Sequence, residues 1–147
     1  MNERIIIGRL ETVNLPDLEI NQLTVRVDTG AQTSSLHVDN IQRIKIGNKP
    51  GVAFDIHPEI HNVQKVVRRK ALVHDVRKIK SSNGISEQRY VIKTGAKLGD
   101  FEWDIEITLT DRSDMTYLML LGREALGSHF YVDAANVFVA SDIGEEC

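Results

Sequence analysis

Val25-Arg26-Val27-Asp28-Thr29-Gly30-Ala31 is the stretch on which the reading of this chain turns. Leu23, Val25 and Val27 alternate with Thr24 and Arg26, the period of two that a half-buried strand requires. The strand ends at Asp28, so a carboxylate is delivered where the chain leaves a sheet. Its backbone stays anchored while its side chain can meet solvent and substrate. Thr29 brings a hydroxyl able to lock the loop by hydrogen bonding. Gly30 permits a tight turn and the close approach of another backbone, and Ala31 is too small to block what lies beside the acid. Asp-Thr-Gly is also an ordinary turn, and as a bare tripeptide it decides little.

A second element far downstream raises its weight: Met119-Leu120-Leu121-Gly122-Arg123 runs two buried aliphatics into a glycine. Between the two, Phe101, Trp103, Ile105, Ile107 and Leu109 alternate with Glu102, Asp104, Glu106, Thr108 and Thr110, the clearest strand in the chain. Residues 5–10, 88–94, 117–121 and 137–140 are further predicted strands. Residues 62–76 are ambiguous between helix and strand, with strand slightly favoured. Valine and isoleucine outnumber leucine and alanine, and β-branching suits a pleated surface. Helix is expected only at Arg123-Glu124-Ala125-Leu126, ended by Gly127. Turns are expected at residues 14–17, 47–51, 81–84 and 97–100, and Asn83-Gly84 makes a good hairpin tip. The expectation is a single, mostly antiparallel β domain over residues 1–147.

Composition narrows the class. At 147 residues, 41% apolar and 27% charged, the chain is long enough for a real core and too apolar for a disordered tail. Eighteen basic against twenty-one acidic side chains give −3, too balanced for a chain that coats nucleic acid. No apolar run approaches membrane-spanning length. The one cysteine, Cys147, cannot build a disulfide framework. The first residues lack the apolar segment of a signal peptide, and a cytoplasmic location is expected.

Val27-Asp28-Thr29-Gly30-Ala31 and Leu120-Leu121-Gly122-Arg123, in that order, resemble the signature of the retroviral-type (retropepsin-like) aspartic proteases. That signature runs from a hydrophobic strand into Asp-Thr-Gly-Ala, through a flap hairpin, to an aliphatic pair before Gly-Arg. Residues 76–92 occupy the place of the flap. A nearer resemblance is to a bacterial family reading Val-Asp-Thr-Gly-Ala-x-Thr-Ser-x-Leu-His. Residues 27–37, Ser82-Asn83-Gly84 and residues 119–126 match it. Its members are often labelled ATP-dependent zinc proteases, are retropepsin-like by fold, and have been linked to an enzyme that adds glutamates to a ribosomal protein.

The resemblance implies an all-β fold, a closed or partly open antiparallel barrel of the acid-protease type with one short helix after Gly122. It implies catalysis by Asp28, Thr29 and Gly30, with Ala31, Leu121, Gly122 and Arg123 as active-site support. Ser81, Ser82, Asn83 and Gly84 would form the flap tip. The aspartic mechanism needs two carboxylates sharing one proton, and this chain holds one Asp-Thr-Gly. Asp111 and Asp133 lack the following Thr-Gly. The expected working unit is therefore a homodimer in which Asp28 meets its own copy across a two-fold axis.

Neither zinc nor ATP finds support in the residues. There is no His-Glu-x-x-His, and in His57-Pro58-Glu59-Ile60-His61 the proline disfavours a helix. His37, His74 and His129 are scattered, and no P-loop exists. No cofactor and no metal are expected, and any ATP dependence would come from a partner.

Two departures from the viral pattern matter. Gln32-Thr33 follow Ala31 where viral members place an acid that can pair with the arginine, so Arg123 needs another partner. The flap candidate, with Ser81, Ser82, Asn83 and Ser86, is polar, which suits a polar substrate. Lys65, Arg68, Arg69, Lys70, Arg77, Lys78 and Lys80 form a basic stretch approaching it. This reads as a solvated edge strand or as attraction for an acidic, glutamate-rich peptide, with Arg77, Lys78 and Lys80 as substrate-binding residues. Nucleic acid and membrane are not expected partners. Two other functions stay open at this stage: a non-catalytic binding domain of the same fold, and a zinc peptidase using His57, His61 or His74.

Overall fold

The alternation beginning at Phe101 is strand β10 (Phe101–Thr110) in the computed structural model, which describes residues 4–57, 66–80, 84–111 and 117–140. Ile105, Ile107 and Leu109 are buried while Glu102 and Asp104 are exposed, as a pleat with one face on a core demands. Before it in the chain come β1 (Ile5–Gly8), β2 (Leu10–Leu15), β3 (Ile20–Val27), β4 (Ser34–His37) and β5 (Asp39–Ile46). There follow β6 (Lys49–Ile56), β7 (Val67–Leu72), β8 (Asp75–Lys80) and β9 (Ser86–Leu98). After it come β11 (Met119–Leu121), helix α1 (Arg123–Leu126) and β12 (Phe130–Asp133).

Strands β10, β4, β11, β3, β2 and β9 are hydrogen-bonded neighbour to neighbour, and β9 pairs with β10 to close a six-stranded barrel. Closure satisfies the backbone donors and acceptors that an open edge would leave exposed. Inside sit Val25, Leu36, Ile107, Met119 and Leu121, each fully buried. β8 leaves the ring as the partner of the first half of β9, in the register Asp75 to Val91 through Lys80 to Ser86. β5, β6 and β7 form a separate three-stranded sheet between β4 and that hairpin, and β1 pairs with β12.

One arrangement positions the site. β11 lies between β3 and β4, parallel to β3 with Leu121 opposite Val27, and antiparallel to β4 with Met119 opposite Leu36. The chain leaves β3 at Asp28, loops, and returns two strands away. Immediately after β11, α1 is held to the barrel by Trp103, whose indole Nε1–H donates to the Ala125 carbonyl at 2.9 Å. Phe101 and Trp103 pack on Phe130 at centroid distances of 5.4 and 5.2 Å, which seats β12 on the same corner.

The all-β barrel and its short helix agree with the expectation from sequence, and Gly127 donates to the Arg123 carbonyl at the helix end. Several details differ. Residues 137–140 are not a strand: Phe138 takes φ +53° and bonds to Leu10. The next two amides, of Val139 and Ala140, donate to the buried Glu11 carboxylate at 2.8 and 3.1 Å, so a side chain replaces a neighbouring strand. Residues 5–10 are two strands broken at Arg9. Gly8 packs so tightly that a methyl group there would lie 2.5 Å from the Asn136 carbonyl oxygen. The turn expected over 47–51 is only Gly47-Asn48, and Pro50 and Gly51 belong to β6. Residues 62–65 of the ambiguous segment lie outside the described residues, and 67–72 are strand.

Candidate active site

Asp28 is half-buried at the end of β3. Its amide donates to the Leu121 carbonyl at 2.9 Å, and its own carbonyl accepts from Ala31 at 3.1 Å. The Gly30 amide donates to Asp28 Oδ1 at 3.0 Å, so the turn itself aims the carboxylate. Thr29 and Gly30 are exposed at the crest of the loop.

The segment after β11 clamps this loop from below. Arg123 and Glu124 donate their amides to the Ala31 and Gln32 carbonyls at 2.8 and 3.0 Å. The buried Gly122 amide donates to Ser34 Oγ at 2.9 Å. A methyl group on Gly122 would lie 2.6 Å from the Thr33 carbonyl carbon, so only glycine lets the two backbones meet. Asp28, Ala31, Leu121, Gly122 and the backbone of Arg123 are thus brought together. The Arg123 side chain is exposed.

The arginine's expected partnership is recast by the next residue. Glu124 accepts from Gln32 Nε2 at 3.1 Å and lies 3.5 Å from Thr33 Oγ1. The acid sits on the helix and the donors on the loop, the reverse of the viral polarity. The signal was present in the sequence, a carboxylate directly after Gly-Arg facing an amide directly after Ala31, but helix register was needed to pair them.

Across a cleft of 320 Å³ from the loop stands the β8–β9 hairpin. Ile79 and Arg89 line its side, and Ala31, Thr33 and Leu120 line the loop's side. Gly84 has φ +85° at the turn, whereas Ser81, Ser82 and Asn83 lie outside the described residues.

The three arginines of the basic stretch are bonded within the chain. Arg68 donates to Asp55 at 2.8 Å, and Arg69 Nε to the Leu18 carbonyl at 2.6 Å. Arg77 donates to Glu106 at 2.6 Å and to Asp75 at 2.9 Å. These bonds from the Arg77 guanidinium hold the Glu106 and Asp75 carboxyls below the usual range, and they raise Arg77 in turn. His74 Nε2 sits 3.1 Å from the other Glu106 oxygen. Together they bracket the base of the hairpin to the barrel wall. Lys78 is exposed on β8.

The histidines are dispersed. His57 Nε2 lies 2.7 Å from Asp39, His37 is buried, and His129 stacks on Phe101 at 5.0 Å. Among the described residues no group of three or more His, Cys, Asp or Glu is disposed to hold a metal ion; His61 lies outside them. No helix among those residues is long and apolar enough to cross a membrane.

This geometry can be set beside known proteins. A probable alpha-L-glutamate ligase of Shewanella pealeana is 43% identical over 98% of this chain and 31% of its own length. Another of that name from Parasynechococcus marenigrum is 38% identical over 99% of this chain and 31% of its own length. The chain thus spans about a third of the length of these curated relatives. A crystal structure of a Legionella pneumophila protein of unknown function superposes with a TM-score of 0.77 at 29% identity, covering 94% of this chain and 99% of that one. The family model described as retropepsin-like aspartic endopeptidase RimB matches residues 6–142. By that match, and with a closed barrel and a clamped Asp-Thr-Gly loop in place, the chain belongs to the RimB-like family of retropepsin-like aspartic endopeptidases.

Proposed function

We propose that this chain is one half of a homodimeric aspartic-type endopeptidase acting on a polar, acidic peptide. The observation that carries the reading is the Asp28 loop, whose carboxylate is aimed by the Gly30 amide and whose backbone is clamped by Leu121, Gly122 and Arg123. A dimer would bring two such half-exposed carboxylates together. The ionised one takes a proton from a bound water, while the protonated one hydrogen-bonds to the scissile carbonyl. The attacking oxygen forms the new bond to carbon, and the departing amine collects the proton. The rigid loop supplies orientation, and the β8–β9 hairpin across the cleft serves as the lid. The acidic character of the substrate is supported by the relatives named as glutamate ligases, which share this region. Of the basic residues, Lys78 remains a proposed substrate contact and Arg77 acts as part of the hairpin's bracket, while the Lys80 side chain lies outside what the structure describes.

The test is hydrolysis of acidic peptides by the wild type and by Asp28→Asn. The variant folds and does not cleave; cleavage at the wild-type rate would overturn the mechanism. A second reading, a non-catalytic binding domain, is favoured by one observation: the curated relatives are named for ligation, not hydrolysis. Sedimentation separates the two, since a strict monomer at high concentration leaves Asp28 unpaired and favours binding.

A further inference from the structure

We propose that the cleft between the Asp28 loop and the hairpin is a subsite for a carboxylate-bearing side chain of the bound peptide, with Arg89 as its specificity-determining residue and Thr110 as a second donor. The proposal rests on the peptidase reading above and adds to it the residues that select the substrate.

Two independent observations meet in this 320 Å³ space. Thr110, the last residue of β10, is only 3% exposed, and its hydroxyl is buried with no hydrogen-bond partner among the described residues. Thr108, two residues earlier on the same face, shows the satisfied state: its hydroxyl donates to the Ser34 carbonyl at 3.1 Å. Buried hydroxyls are almost always bonded in folded proteins. An orphan lining a cleft is explained by a ligand that supplies the acceptor.

The second observation is a cation in the same wall. The Arg89 side chain is only 16% exposed, and its Nε donates to Glu87 at 3.0 Å. A guanidinium carries five N–H donors in a fork that fits a carboxylate. Glu87 meets this guanidinium at Nε, and a carboxylate in the cleft can meet its other N–H donors, whereas a cationic side chain would be repelled there. A carboxylate can bond both Thr110 and the Arg89 guanidinium beside its contact with Glu87; an amide can satisfy the hydroxyl but brings no second charge to the guanidinium. The opposite wall holds Ala31 and Thr33, which follow Asp28 by only a few residues, so the side chain admitted belongs to a residue close to the bond being cut. Ile79 and Leu120 give the stem an apolar passage.

Binding is measured apart from cleavage by using full-length Asp28→Asn protein and two fluorescent peptides, one of glutamates and one of glutamines. The glutamate peptide binds roughly tenfold tighter or more, as a charged hydrogen bond implies. Arg89→Met erases that preference, Arg89→Lys restores part of it, and Thr110→Val reduces it by a smaller factor. Glu87→Gln tests the structural alternative. If Arg89 served only to hold Glu87, this variant would mimic Arg89→Met, whereas here the preference persists. Equal binding of the two peptides, or an unchanged preference in Arg89→Met, overturns the subsite. Selective binding without cleavage by the wild type leaves the subsite standing and removes the peptidase reading. Cleavage that ignores Arg89 does the reverse.

Discussion

The loop that carries Asp28 and the hairpin across the cleft from it are held by different kinds of bond. The loop is fastened by backbone amides to backbone carbonyls, from Asp28 to Leu121, from Arg123 to Ala31 and from Glu124 to Gln32. Gly122 is pressed against Thr33 so closely that a single carbon cannot be added. The hairpin projects from β9 beyond the barrel, and at its base side chains join it to the wall: Arg77 and His74 meet Glu106, and Asp75 meets Arg77, all partly open to solvent. Backbone bonds in a packed setting have one arrangement and resist change of pH. Solvent-exposed ion pairs are weak and titrate. The molecule thus has a rigid floor and an adjustable roof, which is the division of labour a peptidase with a lid needs.

The sharpest way to break this comparison is Gly122→Ala. The floor has no room for the methyl group, so a loss of about 3 kcal/mol or more is expected, read by urea unfolding, together with loss of cleavage. Next is Ser34→Ala, which orphans the buried Gly122 amide and costs about 1–3 kcal/mol. Smaller still in stability is Glu106→Gln. Exposed pairs contribute only about 0.2–1 kcal/mol, so its unfolding midpoint moves little while KM rises, because the lid loses its bracket. A floor variant that matched Glu106→Gln in stability would erase the distinction drawn here.

The smallest effect is on pH. Arg77 holds Glu106 and Asp75 below their unfolded values. A depressed folded value adds stability that is present above the unfolded value and lost as pH falls through the folded one. The hairpin should therefore loosen below about pH 4, with amide protection falling in β8 and holding at Asp28 and Gly122. Equal protection at both places across that range would count against an adjustable roof.

How much of this was legible in the chain follows the same line. The floor was readable because its parts are local: an alternating strand into Asp28-Thr29-Gly30, and an aliphatic pair into Gly122. The strands β5 and β6 were not. Asn40 takes φ +53° and the β5–β6 register shifts between Asp39 and Gln42, so a bulge breaks the alternation that would reveal the strand. Glu11 carried a signal that went unused. It lies in phase with Val13 and Leu15 on the core-facing side of β2, and a carboxylate there must find donors, which Gly8, Val139 and Ala140 provide. The roof's brackets and the Arg89–Thr110 pocket join residues from different strands, and no linear pattern records such meetings.

The central claim is that one active site needs Asp28 from two chains. Wild-type and Asp28→Asn chains, unfolded together and refolded at varied ratios, test it through the rate of peptide cleavage. If both carboxylates are required, activity falls as the square of the wild-type fraction. A linear fall, or activity retained in Asp28→Asn alone, would contradict the account.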